Sequence, residues 1–494
     1  MSRINNNIPA LIGSRILNTN SASLNKSLER LSTGLRINRG SDDPAGLIAS
    51  ENLRKQIRGT DTAIKNGERA ATIVSTAEGA LQEVSSMLLD VQSLLGEVAN
   101  AGGISTEEID ANQSQVDSII NSINRIANTT EFAGIKLLDG TLDYTTSGVS
   151  STNFAEVNIR SAKLIDGAEM AVDVEITTSA QTGRLFLSSS GAAGLSGAMT
   201  IQIGSNRGTT ELTFAASSTQ ATIVSAINAV KEITGVSATS NSSTEVSLDS
   251  LDFGSDAFVS VEILSNATDN TGAADLMALR ASLGGASVAA NVVTKDTGVN
   301  IGATVNGAAA TGNGKVLSIR TAVLDAEIDV DGVTAVSASN GADMSFTITG
   351  GGSDFSLGSE VNGLGLEPIG IQSILASRLG NSTDGFLNTL RSGGTNSLKS
   401  DNKVTAQNIL NSAIKDISGL RGRLGSFQKN TLETTVNSLR ITRENLTAAE
   451  SAIRDTDFAQ ETSNLTRSQI LVNSATSVLA QANFAPQSVL SLLG

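Results

Sequence analysis

The chain has 494 residues and a formal net charge of −15, from 34 Lys and Arg against 49 Asp and Glu. It contains no Cys, His or Trp, one Tyr and 12 Phe, which excludes disulfides, thiol or imidazole nucleophilic catalysis, and thiolate or imidazole metal sites. Scarce aromatics remove stacking platforms for bases and sugars, and the acidic balance disfavours nucleic acid and anionic membranes as partners.

The length suits three or four domains of roughly 100–200 residues each. No segment approaches the ~20 apolar residues of a membrane span. The apolar stretch Ile8 to Ile12 is too short for a secretory leader, so the expectation is export, if any, without a cleaved signal peptide. Charge divides the chain. Residues 1–140 hold 13 basic and 16 acidic residues, 141–400 hold 12 and 25, and 401–494 hold 9 and 8. Glycine follows the same partition, with 12, 31 and 4. A Gly-rich acidic middle therefore lies between two ends of different character.

Helices are expected first. Leu17, Leu24, Leu28, Leu31 and Leu35 are spaced as one helical face, and Asn38 to Ser41 break the pattern. Asp43 followed by Pro44 reads as a side-chain cap before Pro at the first helical position. Val74, Ala77, Leu81, Val84, Leu88, Val91, Leu95 and Val98 then alternate steps of 3 and 4 without an error, a coiled-coil seam. A helix from Pro44 to Asn100 would be ~85 Å long, ended by Ala101-Gly102-Gly103. Ser105 with Glu108 predicts a capping box, stapled by Ile104 and Ile109. Ile109, Val116, Ile120, Ile123 and Ala127 carry the seam of the helix that follows.

The middle reads as strands. Val172 to Ile176, Phe258 to Ile263 and Phe346 to Ile348 alternate. Turn pairs recur at Asp139-Gly140, Asp166-Gly167, Asn306-Gly307, Asp331-Gly332, Asn340-Gly341 and Asn362-Gly363. One short helix is expected, with Ile223, Ile227 and Val230 on a face and Gly235 past its end. Leu212 to Phe214 before it and Val246 to Leu248 after it predict a small α+β module. Helices then return. Ile417, Leu420, Leu424 and Phe427 are followed, after a slip of one residue, by Leu432, Val436, Leu439, Leu446 and Ile453, and Leu465, Val472 and Leu479 recur every seven. Each seam is too narrow to be stable alone. The economical arrangement pairs the two helical ends and makes the middle an insertion. The alternative is ordinary core helices of two separate domains.

Both ends carry motifs of a known family. Leu28-Glu29-Arg30-Leu31-Ser32-Thr33-Gly34-Leu35-Arg36-Ile37-Asn38 and Asp42-Asp43-Pro44-Ala45-Gly46-Leu47 stand at one end. Leu420-Arg421-Gly422-Arg423-Leu424-Gly425, Glu444 to Ser451, Ile453 to Asp457, Leu479 to Asn483 and Pro486 to Leu493 stand at the other. In these stretches, covering about residues 1–140 and 395–494, the chain resembles bacterial flagellin. Residues 211–250 look like an insert module of some flagellins and hook proteins. The resemblance implies a multidomain α plus β fold: long N- and C-terminal helices pairing as coiled coil and helical bundle, with a β-rich α+β insertion in the middle. It implies a coiled-coil filament core at 1–43 and 455–494, a bundle at 44–145 and 395–454 with a β-hairpin near 132–145, and a β-rich variable surface insert of one or two subdomains at 146–394. The implied function is a self-assembling subunit of the extracellular flagellar filament, exported through the type III apparatus. Its implied partners are copies of itself, an export chaperone at the C-terminal helix, the filament cap and hook-associated proteins. A hook–filament junction protein of the same superfamily is the alternative. The residues expected to form the assembly seam are Leu17, Leu24, Leu28, Leu31, Leu35, Leu81, Val84, Leu88, Val91, Leu95, Leu465, Val472 and Leu479.

Candidate chemistry is sparse. Arg30, Arg36 and Arg39 alternate with Glu29, Asp42 and Asp43 and are expected to form ion pairs rather than an anion site. Glu327, Asp329, Asp331 and Gly332 match the first half of an EF-hand loop, but its last ligand position falls on Ala338, which offers no side-chain oxygen. Without His, the zinc-protease insert of some flagellins cannot hold its metal. Where the innate Toll-like flagellin receptor expects basic residues on the long helix, this chain has Asp90 and Gln92, which argues against receptor activation. No catalytic residue, cofactor or metal ligand is expected.

Overall fold

A computed structural model of the chain describes residues 7–100, 103–164, 167–188, 195, 197–242, 245–266, 278–280, 294–337, 344–360 and 362–490. The expected turns at Asp166-Gly167 and Asn340-Gly341, the helix end at Ala101-Gly102 and the EF-hand position at Ala338 fall wholly or partly outside these residues. The main helices are α1 (Ile8–Thr33), α2 (Pro44–Ala99), α3 (Thr106–Thr129), α4 (Gln220–Ala229), α5 (Lys403–Ser426), α6 (Thr434–Arg454) and α7 (Phe458–Leu490). The chain forms two compact units. One holds residues 1–72, 355–366 and 426–494; the other holds 73–354 and 367–425.

Local chemistry sets the helix ends. Gly34, at φ 74°, closes α1 in the left-handed conformation that a side chain would oppose, and its N–H reaches Arg30 O at 2.8 Å. Asp43 Oδ1 accepts from Gly46 N at the start of α2. Ser105 and Glu108 form both halves of the capping box before α3. The one-residue slip between Phe427 and Leu432 is a π-helix, Phe427–Glu433. Its wider turn takes up one extra residue and returns Leu432 and Val436 to the buried side.

In the second unit, Val74, Ala77, Leu81, Val84, Leu88, Val91, Leu95 and Val98 on α2 are at most 2% exposed. Val116, Ile120, Ile123 and Ala127 on α3 are buried too, as are Ile409, Leu410, Ile417, Leu420 and Leu424 on α5. Hydrogen bonds tie these helices: Asn112 donates to Glu97 at 3.2 Å, and Lys403 Nζ donates to Val98 O at 3.0 Å at the end of α2.

The β-rich part holds two cores. One lies within an eight-stranded antiparallel sheet of β1 (Tyr144–Ser147), β2 (Phe154–Ala162), β3 (Met170–Thr178), β4 (Gly302–Val305), β5 (Ala308–Asn313), β6 (Val316–Arg320), β7 (Leu324–Val330) and β8 (Met344–Gly351), in the order β1-β8-β3-β4-β5-β6-β7-β2. Asn306 and Gly307, at φ 49° and 76°, make the tight β4–β5 hairpin that the dipeptide predicts. Its two edge strands meet. The Tyr144 hydroxyl on β1 donates to Ala162 O on β2 at 3.2 Å and accepts from Ala162 N at 2.9 Å. Gly370 N donates to Arg160 O, and Ile371 N to Leu142 O, so one segment laces both edges. Burial pushes the Tyr144 phenol up to about 12. Inside, Phe154 and Phe346 meet edge to face at 5.6 Å between centroids.

The other core lies between two four-stranded sheets, with Ile223 and Ile227 of α4 packed on it. The strands around 212–214 and 246–248 take the expected places beside α4. The expected turn at Asp331-Gly332 is different. The strand ends at Val330, and the chain enters a helical turn, Gly332–Ser337, closed by Ala335 N donating to Asp331 O. An Asp before Gly serves equally as a helix start, and here Asp331 O accepts the first helical bond.

Asp416 on α5 lies beneath Gly380 N, which donates to it at 3.1 Å. Burial pushes its carboxyl from 3.8 up to about 6, with Glu156 and Glu327 adding to the rise against Gly380 and Lys415. Such a group binds its proton more tightly folded than unfolded. Its contribution is therefore full below pH 3.8 and falls as pH rises through about 6. Asp416→Asn keeps an oxygen for Gly380 and removes the buried charge. The expected outcome is a gain of about 1–3 kcal/mol at neutral pH, shrinking towards zero near pH 4, measured by thermal melts across pH.

Candidate assembly surface

Helices α1 and α7 run antiparallel, side by side. Asn7 Nδ2 donates to Ala482 O at 2.9 Å, Asn20 Nδ2 to Leu471 O at 3.4 Å, and Arg30 pairs with Glu461 at 3.6 Å. Gly13 faces Leu479: a Cβ there would stand 3.2 Å from Leu479 Cδ1, so its missing side chain sets the close approach. Gly13, Ser27 and Ala475 are the buried small residues along the pair.

The pair is anchored by a short backbone zipper. Thr456 N donates to Gly34 O at 2.9 Å and Arg36 N to Arg454 O at 2.7 Å, with Leu35 bridging Asp455. Arg36 Nη2 also donates to Ile453 O. The charged loop before α2 is tied back to α1, Arg39 pairing with Glu29 at 3.1 Å and Asp42 with Lys26 at 2.8 Å, while within the loop Arg36 approaches Asp43 at 4.0 Å. The Lys26 ammonium, with the Arg39 and Asn38 amides, holds Asp42 down at about 2. Along α2 and α6, Glu51–Arg454, Asp61–Arg443 and Glu68–Arg440 pair at 2.7–3.1 Å. Exposed pairs of this kind contribute roughly 0–1 kcal/mol each, so they fix register more than they stabilise.

The structure sorts the seam residues expected from sequence into two groups. Leu81, Val84, Leu88, Val91 and Leu95 are buried within the single chain. Leu17, Leu24, Leu31, Leu35, Leu465, Val472 and Leu479 are half-buried, and Leu28 is 49% exposed. Spacing alone missed the apolar residues that the pair leaves uncovered. Ile8, Leu11, Ile12, Ile16, Ile470 and Val478 are 46–67% exposed, and Phe484 is 62% exposed. A signal was present: the doublets Leu11-Ile12, Ile16-Leu17 and Val478-Leu479 put a second apolar residue ~100° round the helix from the first. Exposed large apolar side chains in this number along two helices mark an interaction surface.

Among the described residues, no group of three or more acidic side chains is placed to hold a metal ion, and no helix is long and apolar enough to cross a membrane.

A family model described as the bacterial flagellin N-terminal helical region matches residues 4–143, and one described as the bacterial flagellin C-terminal helical region matches 407–493. The chain is 29% identical to a flagellin of Clostridium tyrobutyricum, covering 97% of this chain and 98% of that one. It is 27% identical to flagellin B of Vibrio anguillarum and 29% identical to a flagellin of Salmonella rubislaw, covering 99% of each chain in both cases. The two matched regions contain α1, α7 and the zipper that joins them.

Leu88 is fully buried on the α2 seam, and Asp90, two residues on, is exposed. Leu88→Asp places an unpaired carboxylate in an apolar core and is expected to destabilise the chain by about 3–5 kcal/mol. Asp90→Ala is expected to stay within ~0.5 kcal/mol of the parent. Thermal melts of both variants check the pair of values.

Proposed function

Since the chain belongs to the bacterial flagellin family and is a structural subunit of the flagellar filament serving motility, we propose that it assembles by covering the free face of its α1–α7 pair with the same helices of neighbouring copies. The observation that carries this reading is the row of uncovered apolar side chains from Ile8 to Ile16 and from Ile470 to Phe484. Burying them contributes roughly 25 cal/mol per Å² of apolar area, and only another chain supplies the cover. Residues 1–43 with 455–494 are the filament core in this reading, 44–145 with 395–454 the surrounding bundle, and 146–394 the outward insert. The central block carries 25 of the 49 acidic residues, which suits a surface that faces water and repels its copies laterally.

The flagellin resemblance further points to an extracellular filament reached through type III export, to a chaperone at the C-terminal helix, and to cap and hook-associated partners. The role is structural and non-enzymatic. A junction-protein role is not favoured, because the near-full-length relatives are flagellins.

Ile470→Asp combined with Val478→Asp alters only exposed positions of α7. The expected outcome is a subunit that melts within ~0.5 kcal/mol of the parent yet forms no sedimentable filaments when seeded. Filaments of normal length and yield would overturn the assembly face.

A further inference from the structure

Two adjacent strands, β7 and β2, and the turn that leads into β6 bring a lysine and two carboxylates together on the eight-stranded sheet. Along β7, Leu324, Ala326, Ile328 and Val330 point into the core, while Asp325, Glu327 and Asp329 take the opposite face. Asp329 stands in register with Val316 of β6 on one side and with Glu156 of β2 on the other. Lys315 immediately precedes β6, and its Nζ lies 3.7 Å from Asp329 Oδ1. That oxygen is buried from solvent and accepts no hydrogen bond. Glu156 accepts from Asn158 Nδ2 at 2.9 Å.

We propose that Lys315 and Asp329 become joined by a cross-strand amide, with Glu156 carrying the proton. After a proton passes from the ammonium to the carboxylate, Nζ attacks Asp329 Cγ. A C–N bond forms, the Cγ–O bond breaks, and the departing hydroxyl leaves as water with a proton relayed from Nζ through Glu156. An ammonium and a carboxylate are converted into one amide and one water, with no oxidant or cofactor. Placement favours this step. A buried carboxylate oxygen that accepts no hydrogen bond is costly as an ion, and the lysine 3.7 Å away offsets that cost only in part. Burial raises Asp329 and Glu156 from the ordinary carboxylate range. Asp331 and Glu327 add to the rise of Asp329, and Lys315 opposes it. The neutral acid that an amine can attack is thereby favoured. The chain has no Cys, so no disulfide can lock this sheet. An amide made by the sheet's own side chains forms only after the strands have paired, and it would hold β6 to β7 beside the edge strand β2.

The test is the intact mass of the folded full-length chain, with peptide mapping. The expected result is a mass one water below that of the sequence, no tryptic cleavage after Lys315, and a branched peptide joining 315 to 329. Glu156→Gln and Lys315→Arg should each restore the full mass while keeping the parent's circular dichroism. A wild-type chain at full mass that trypsin cleaves after Lys315 overturns the proposal, as does water loss mapped elsewhere. A Glu156→Gln chain that still lacks one water removes Glu156 from the step.

Discussion

A helix pair has two sides, and the described residues cover only one of them. Helices α1 and α7 lie antiparallel at the distance set by Gly13 against Leu479, and their seam leucines are half-buried on each other. Isolated helices with so little burial are marginal in water. The zipper at Gly34, Arg36, Arg454 and Thr456 holds their ends in register, but the outer row from Ile8 to Phe484 stays open. In the proposed assembly, stability of this part of the subunit depends on neighbours, and order and assembly are one event.

The seam of α2 from Val74 to Val98 solves the same problem differently. It is closed within one chain, with α3 and α5 supplying buried faces of their own. This part of the fold does not wait for a partner. The eight-stranded sheet is likewise complete in itself: Tyr144 and the segment at Gly370 and Ile371 lace its first strand to its last, leaving few open edges for stray pairing.

Regular features and the pairing of the two helical ends were legible in the sequence; contacts made by single polar groups were not. The caps at Asp43 and Ser105, the α2 heptads, the Asn306-Gly307 hairpin and the α4 face depend on neighbours a few residues away, and spacing reports them directly. Even the slip between Phe427 and Leu432 was readable as one extra residue, which the structure absorbs in a π turn. The Tyr144 closure links residues 144 and 162 through a hydroxyl, a contact no periodicity encodes. Asp331-Gly332 was read as a turn because the same dipeptide can start a helix. On the helix pair, leucine spacing picks out half-buried positions and passes over the exposed row, since Ile470 and Val478 lie off the seven-residue repeat. The sorting of thirteen expected seam residues into core and pair required burial, not spacing.

The dependence of α1 and α7 on a partner is most directly tested by amide hydrogen exchange, comparing monomer with filament. The account predicts rapid exchange at residues 8–33 and 458–484 in the monomer, slow exchange at 74–98 in both states, and strong protection of both end helices only in the filament. Equal protection of α1 and α7 in monomer and filament would contradict it, because the helix pair would then be stable without a neighbour to cover its open side.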